Sequence, residues 1–196
     1  MTDRIEGDLD QRIAGRVRGL RAVRGLTLEA LAERSGVSRS MISLIERGES
    51  SPTAALLDRL ATGLEVPLAS LFAAPETSGA PVARRADQRE WRDPASGYVR
   101  RNVSPGGFAS PIQIVEVAFP AGARVAFDTA PRGVRVHQQV WVLEGAIEVR
   151  VGDEDHELKR GDCLAFVLDR PTAFHNRTRK SARYAVVVVS EPEMTR

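Results

Sequence analysis

The spacing of apolar residues changes once along this chain, and the change divides it into a helical part and a strand-forming part. Up to about residue 73, apolar side chains such as Ile13, Val17 and Leu20 recur at intervals of three and four, the period of an amphipathic helix. From Trp91 onward, short segments such as Ile112–Phe119 are rich in β-branched residues and lie between Gly, Pro and Asp turns. The pattern therefore predicts an α+β chain with an all-α N-terminal domain and an all-β C-terminal domain.

Each part is large enough to form a domain of its own. A chain of 196 residues suggests one large domain or two small ones, and about 100 residues suffice for a working core. We expect an N-terminal domain over residues 1–73, a linker over 74–94 and a C-terminal domain over 95–196. The linker begins with Ala-Pro-Glu-Thr-Ser-Gly-Ala-Pro, a composition that favours movement between the two domains.

Glycine, proline and hydroxyl residues mark the helix ends of the N-terminal domain. Gly36 is predicted to end the second helix, and Thr27 and Ser38 can cap the second and third helices. Pro52 is expected at the first position of the fourth helix, where its missing N–H costs nothing. One last short turn near Phe72 completes an expected set of five helices.

The C-terminal domain contains several short apolar segments separated by turn residues. Their spacing of about ten residues is typical of an antiparallel sandwich or barrel. Besides Ile112–Phe119, the predicted strands are Val140–Val142, Ala146–Val151, Cys163–Leu168 and Ala185–Val189.

The second and third helices, with the glycine turn between them, are typical of a helix-turn-helix unit. In such a unit the second helix of the pair lies in the major groove of DNA. On a helical wheel Ile42 and Ile45 point inward, and the opposite face is small and polar. Arg39 suits a bidentate contact with guanine, and Thr27 lies where a phosphate can bind. The predicted DNA-binding residues are Thr27, Ser38, Arg39, Ser40, Ser43, Leu44 and Arg47.

The residues of this segment also resemble a known DNA-binding family. Periodicity alone would equally fit a helical bundle with a solvated polar face. The stretch TLEALAERSGVSRSMISLIERGESSPTAALLDRLATGLEVPLASLF resembles the XRE, or λ-repressor-like, five-helix family over about residues 9–73. The match includes Gly-Val-Ser at the turn, Ile-Glu-Arg-Gly at the end of the third helix and Pro at the start of the fourth. The resemblance implies that the partner is a double-stranded DNA operator.

The C-terminal part resembles the cupins, which are small double-stranded β-helix barrels. The segment Val140–Val149 resembles the first cupin motif. Gly-Asp-Cys-Leu at 161–164, followed by Pro171 and Asn176, resembles the second. With Pro-Ala-Gly at 120–122, the resemblance covers about residues 95–190 and implies a cupin barrel.

Metal-binding cupins take two His and a Glu from the first motif and a His from the second. Here the Glu position is occupied by Gln138, and the position of the second-motif His by Thr172. The expected His pair falls in Pro-Arg-Gly-Val at 131–134, which contains no His. Neutral Gln and Thr side chains are weak ligands for transition metals. We therefore expect neither a metal nor another cofactor, and no metal-dependent enzyme.

Three histidines lie elsewhere in the barrel segment. His137 and His175 each stand an odd number of residues from an inward position, so strand alternation predicts that both point outward. A non-standard site that uses these two remains open, although it would lack a third ligand. His156 is expected to be a solvated residue of a hairpin turn.

The inward positions of the barrel predict a small-molecule site, since an apolar cavity with a few neutral polar groups is the usual composition of one. A filled barrel that serves only for dimerisation is the alternative. The predicted effector pocket consists of Gln138, Val140, Thr172, Phe174 and Asn176.

Two further features each allow two interpretations. Cys163 is expected to be a small buried hydrophobe, and a redox sensor is the less favoured alternative because Asp162 disfavours the thiolate. The segment from Trp91 to Arg101 is expected to close the barrel as a strand, with Trp91 and Tyr98 packed on it. A DNA-contacting arm is the alternative.

Charge adds little to this interpretation. The 28 basic and 26 acidic residues give a net charge of +2, so a DNA partner would be held by local placement rather than by a global field. The acidic start lacks the features of a signal peptide, no apolar run could span a membrane, and a single cysteine forms no internal disulfide. We expect a cytoplasmic location.

The two resemblances together are to the XRE–cupin transcriptional regulators. They imply a non-enzymatic homodimer that binds operator DNA, with the barrel as the site of dimerisation and of binding of a small-molecule effector. One alternative is a cupin enzyme with an appended DNA-binding domain. The other is an antitoxin-like interaction protein.

Overall fold

The structure is a computed structural model that describes residues 3–72, 80–106, 108, 110–128 and 134–192. Its side chains are described from residue 9 to residue 190 within those ranges, except at residue 134. The first part of the chain is helical and the second consists of two antiparallel sheets, as the change of period predicts. We call residues 3–72 the head and residues 90–192 the barrel.

The head contains four α-helices and one 3-10 helix. The expected count of five α-helices is therefore wrong, because the short last segment winds more tightly than an α-helix. The α-helices are α1 (Asp3–Val23), α2 (Leu28–Ser35), α3 (Arg39–Glu46) and α4 (Ala54–Gly63), and the 3-10 helix is Leu68–Phe72.

Hydroxyl side chains cap three of these helices. The backbone N–H of Ala30 donates to the Thr27 hydroxyl and that of Met41 to the Ser38 hydroxyl, as predicted. Gly36 ends α2 in the left-handed conformation, at φ 65°, which glycine adopts without strain. The cap of α4 is Thr53, whose hydroxyl accepts a hydrogen bond from the backbone N–H of Leu56. Pro52 therefore precedes the cap, and the expectation that it opens the helix is wrong.

The helices of the head enclose an apolar core. Ile13 and Val17 of α1 meet Leu31 of α2 and Ile42 and Ile45 of α3, all of them 0–1% exposed. The apolar faces identified from the helical period therefore form the core, which leaves the opposite face of α3 at the surface.

The described residues of the barrel form ten strands in two sheets. One sheet has the order β1-β2-β3-β10-β5-β8 and the other β4-β9-β6-β7. The strands are β1 (Glu90–Arg92), β2 (Val99–Asn102), β3 (Ile112–Phe119), β4 (Arg124–Phe127), β5 (Val134–Glu144), β6 (Ala146–Val151), β7 (Glu154–Lys159), β8 (Cys163–Val167), β9 (Thr172–His175) and β10 (Ala182–Pro192).

Strand register aligns the residues that fill the barrel. Val186 lies opposite Val115 on one side and Val140 on the other, so three neighbouring strands present apolar side chains to the same face. The second sheet adds Val149 opposite Phe174, both of them buried. The core lies between the two sheets, as expected for a sandwich or barrel.

The head and the barrel pack against one another. Strand β1 lies inside the segment expected to be a linker, and its buried Trp91 contacts Phe72 of the head with ring centroids 5.3 Å apart. Arg59 of α4 also donates to Asp128 at 2.8 Å. Trp91 and Tyr98 are both buried and β1 pairs with β2, so this segment packs on the barrel as a strand, as expected.

Candidate functional sites: the outer face of helix α3 and a cavity between head and barrel

Helix α3 turns an apolar face into the head and a polar face to solvent. Ile42 and Ile45 are buried against the other helices, whereas Ser38, Arg39 and Ser40 are exposed. The glycine turn at the end of α2 sets the direction in which α3 leaves. The predicted outward face therefore exists, and its side chains are free to approach another molecule.

Arg39 is the most projecting cation on this face. Its Nε lies 2.5 Å from Oε1 of Glu29 in an ion pair, yet 66% of the Arg39 side chain is exposed. The pKa of the Glu29 carboxyl is lowered, chiefly by a hydrogen bond from the backbone N–H of Glu29 itself and further by the nearby charge of Arg39. Exposed ion pairs of this kind are weak, so the Arg39 guanidinium can exchange Glu29 for another partner at small cost.

Arg47 lies at the other end of α3. Its guanidinium donates to both carboxylate oxygens of Glu49, at 2.9 and 2.7 Å, and to the Ser43 hydroxyl. Glu49 in turn raises the pKa of Arg47. These contacts hold Arg47 beside the last turn of the helix.

The remaining predicted residues have structural as well as candidate binding roles. Thr27 and Ser38 are helix caps, and the Ser38 and Ser40 hydroxyls lie 3.2 Å apart. A hydroxyl that accepts from a backbone N–H can still donate its own proton to a phosphate. Leu44 is half-buried at the edge of the exposed face.

An ion pair that the sequence interpretation missed fixes α3 to α1. Arg21 donates to Glu46 through Nε at 2.6 Å and through Nη2 at 2.7 Å, and through Nη1 to the Leu26 carbonyl. The hydrogen bond to Glu46 raises the pKa of Arg21. A bidentate pair of this type orients the helix as well as stabilising it. The Arg-to-Glu spacing along the chain gives no local signal, because the pair bridges two helices.

A cavity of about 80 Å³ lies between the two sheets and the head. Its head side comes from α4 and the 3-10 helix, and its other walls from both sheets. The lining residues are Asp58, Pro67, Leu68, Ala69, Tyr98, Arg100, Val117, Val125, Phe127, Val136, Gln138, Leu168, Thr172, Phe174, Tyr184, Val186 and Val188.

Three of the five residues expected to form an effector pocket line this cavity: Gln138, Thr172 and Phe174. The other two lie outside its lining. Val140 is fully buried in the sheet core. The Asn176 amide donates to the carbonyls of Phe119, Pro120 and Lys180, and its side chain is fully buried, so it fixes the chain where loops meet.

The sequence interpretation missed the most polar part of the cavity. Arg100 of β2 is 8% exposed and lines the cavity together with Tyr98 and Tyr184. Its guanidinium carbon lies 4.7 Å above the Phe72 ring of the head. Tyr98 and Arg100 are two residues apart, so both side chains lie on one face of an extended segment, but no local signal in the sequence shows that this face borders a cavity.

The residues at the cupin metal positions do not fit a metal. Gln138 and Thr172 lie on the cavity wall and are neutral. The segment 131–133 and the side chain of residue 134 lie outside the described part of the structure. Across the ranges that the structure describes, no three His, Cys, Asp or Glu side chains come together as a metal site.

The histidines do not approach the cavity. His137 and His175 are half-buried, and each neighbours an inward residue, Gln138 and Phe174 respectively, so strand alternation turns both to the outside. His156 lies in β7, opposite Val149, with Nε2 3.7 Å from Glu154. The expectation that His156 belongs to the hairpin turn is wrong, because the strand begins earlier than expected.

Cys163 is exposed, so the expectation of a buried side chain is wrong. It begins β8, an edge strand, and pairs with Trp141 of β5 on the outer face of the six-stranded sheet. Leu164 takes the more buried position on the inner side. The Cys163 thiol lies 4.0 Å from the Gln139 side chain.

The outer face of the six-stranded sheet carries large apolar side chains. Trp141, Ile112 and Ile114 are 50%, 47% and 37% exposed, and Val187 lies directly opposite Ile114. We call the surface formed by Ile112, Ile114, Trp141 and Val187 the outer sheet face. Exposed apolar patches of this kind often mark interaction surfaces.

Comparison with known proteins identifies both parts of the chain. A helix-turn-helix family model matches residues 17–71, and a cupin-domain model matches residues 133–189. The HTH-type transcriptional regulator SutR of Escherichia coli is 32% identical over 157 residues, which cover 80% of this chain and 83% of SutR. The chain belongs to the helix-turn-helix transcriptional regulators that carry a C-terminal cupin domain. It is a DNA-binding transcriptional regulator.

Two further relatives agree with this assignment. The HTH-type transcriptional regulator PuuR of Escherichia coli is 26% identical to the regulator, over 82% of this chain and 85% of PuuR. A crystal structure of an HTH_3 family transcriptional regulator from Vibrio cholerae superimposes with a TM-score of 0.75 at 29% identity. That alignment covers 94% of this chain and 98% of the other, so head and barrel follow one another in the same way in both proteins. No helix among the described residues is long and apolar enough to cross a membrane.

Proposed function

We propose that the regulator acts as a homodimer whose two α3 helices enter neighbouring major grooves of an operator. The observation that carries this proposal is the exposed polar face of α3 above the buried Ile42 and Ile45. Dimers of helix-turn-helix proteins bind half-sites about one helical turn apart. Arg39 then reads a base, most often guanine, through its bidentate guanidinium.

The other residues of the predicted set divide between bases and backbone. Ser40, Ser43 and Leu44 approach base edges, because they share the exposed side of α3 with Arg39. Thr27, Ser38 and Arg47 lie at helix ends and contact phosphates, where hydroxyl and guanidinium donors suit an anion.

The outer sheet face is the proposed dimer contact. Its exposed Trp141, Ile112 and Ile114 supply the aromatic and aliphatic anchors from which stable interfaces are built. A two-fold axis would place the same face of each chain against its copy, as closed dimers require.

The cavity between head and barrel is the proposed effector site, and the role of the barrel is sensing rather than catalysis. A ligand that contacts both Leu68 of the head and Phe174 of the barrel binds one relative arrangement better than another. Such a difference in affinity is what a ligand needs to change operator binding. Gln138 and Thr172 at the metal positions favour this non-enzymatic role. A DNA operator as partner supports a cytoplasmic location.

Selection of the full chain against a random duplex pool tests the operator part of the proposal. Sequences that bind should share a two-fold symmetric motif, and sedimentation of the complex should give two chains for each duplex. Enrichment of no motif, or a complex with one chain, would contradict it.

A further inference from the structure

Arg100 is a cation held inside the protein without a hydrogen-bonding partner for two of its nitrogens. The side chain is 8% exposed, and its Nε and Nη2 atoms are buried and make no hydrogen bond. Its close neighbour is the Phe72 ring, which offers a weak electrostatic attraction and accepts no conventional hydrogen bond. Burying a guanidinium costs free energy unless an acceptor compensates it.

The position of Arg100 makes the cavity the place where such an acceptor would bind. In β2, Arg100 lies opposite Val117, which also lines the cavity, so both side chains point to the same space. A guanidinium presents its N–H donors in a planar fork that matches the two oxygens of a carboxylate.

The two tyrosines beside Arg100 add donors of the same kind. Burial raises the pKa of Tyr98 and of Tyr184, and the nearby Arg100 charge only partly offsets this effect. Both phenols therefore stay protonated at neutral pH. A protonated phenol can donate to an anionic oxygen, so the Arg100 end of the cavity is rich in donors.

The rest of the cavity limits the charge and size of a ligand. Asp58 lines the wall on the head side, and its carboxylate would repel a ligand with several negative charges. Most other walls are apolar, among them Val125, Phe127 and Leu168. An engineered apolar cavity of about 150 Å³ admits benzene. The volume here, about 80 Å³, suits a smaller molecule.

We propose that the regulator's effector is a short-chain organic monocarboxylate, with its carboxylate on Arg100 and its apolar end against the barrel walls. This inference rests on the proposed effector-binding function and names the chemical class of the ligand. Arg100 also contacts Phe72, so the group that holds the carboxylate touches the head directly.

Sodium propionate is the probe, and its binding is measured by isothermal titration and by the rise in Tm of the full chain. Propionamide and propylammonium chloride have a similar shape but carry no negative charge, and sodium chloride keeps the ionic strength equal. Propionate should bind and raise the Tm in a saturable way, whereas the amide and the amine should not.

Substitution of Arg100 tests the contact itself. Arg100→Met should weaken propionate binding about tenfold or more, since a charge-assisted bidentate pair is lost. Arg150→Met is the matched control, because Arg150 is an exposed arginine on the other sheet that pairs with Asp155. Arg150→Met should bind propionate as the wild type does. If Arg100→Met does not fold, Arg100→Lys keeps the charge but loses the planar fork and should still weaken binding several-fold.

The outcomes separate this inference from the function on which it rests. Selective operator binding by a chain that ignores propionate, or that binds the amide or the amine equally well, overturns the carboxylate assignment alone. Unchanged propionate affinity in a folded Arg100→Met variant also overturns it. Loss of operator selectivity with propionate binding intact contradicts the proposed operator function and leaves the carboxylate site standing.

Discussion

The Asp93 carboxylate of the barrel accepts a hydrogen bond from the backbone N–H of Ala54 at 2.9 Å, at the first residue of helix α4 in the head. The other oxygen of Asp93 accepts from the backbone N–H and the hydroxyl of Ser96, at 2.8 and 2.5 Å. One buried side chain therefore ties the start of α4 to the turn between β1 and β2.

Asp93→Ala should lower the free energy of unfolding by about 1–2 kcal/mol, because Ala54 loses a charged acceptor at a helix start. Asp93→Asn keeps one oxygen acceptor and should cost less. Urea unfolding followed by circular dichroism measures both values. Asp87→Ala, which removes an exposed carboxylate from the neighbouring 3-10 turn, is the control and should be near neutral. Equal stabilities of the Asp93 and Asp87 variants would show that Asp93 does not join the two domains.

Arg39→Ala should weaken operator binding by about 1–3 kcal/mol and relax selectivity at one base pair, since a bidentate base contact is lost. Fluorescence anisotropy with the selected operator and its single-base variants measures the effect. Arg150→Ala is the matched control, because Arg150 is also exposed and paired with a carboxylate but lies in the barrel. If Arg39→Ala weakens every duplex equally, Arg39 contacts phosphate and does not read a base.

Trp141→Glu should convert the proposed dimer to monomers at micromolar concentration, because a charge replaces the apolar centre of the outer sheet face. Operator affinity should fall with it, since the second head is no longer linked to the first. Sedimentation velocity measures the assembly state. Val82→Glu alters another exposed apolar residue, away from the sheet, and should leave it unchanged. A Trp141→Glu variant that sediments like the wild type would exclude this face as the contact.

Two glycine-to-alanine substitutions should change stability in opposite directions. A Cβ on Gly63 would lie 2.8 Å from the Ser35 Cβ, so α2 and α4 would have to separate, at a cost of about 1–3 kcal/mol. Gly19 in α1 has nothing within 4 Å of that position, and alanine there should stabilise by up to about 1 kcal/mol. Thermal unfolding of both variants measures the difference, and a stabilised Gly63→Ala would contradict the close packing of these helices.

The sequence was most informative where structure depends on local periodicity. The inward Ile42 and outward Arg39 follow from the turn of helix α3. The caps Thr27 and Ser38 follow from hydroxyl residues just before α2 and α3, respectively. The face of a helix on which a residue lies depends on its spacing of three and four residues from other apolar residues, and this spacing can be read from the sequence.

The cavity could be predicted only in part, because its walls come from strands and helices that are distant in sequence. Gln138 and Thr172 were placed by cupin resemblance, whereas Arg100 and the head residue Leu68 reach the cavity only through tertiary packing. Cys163 was misjudged because its exposure depends on β8 being a sheet edge. Asn176 is buried as expected, but its side-chain N–H groups donate to three backbone carbonyls, and it does not line the cavity.

Hydroxyl-radical footprinting of the full chain on its selected operator tests most directly whether paired α3 helices bind the DNA. Two protected windows about one helical turn apart, on one face of the duplex, are the predicted result, with Arg39→Ala weakening protection of both. A single protected window, or protection that ignores sequence, would contradict binding by a symmetric pair of heads.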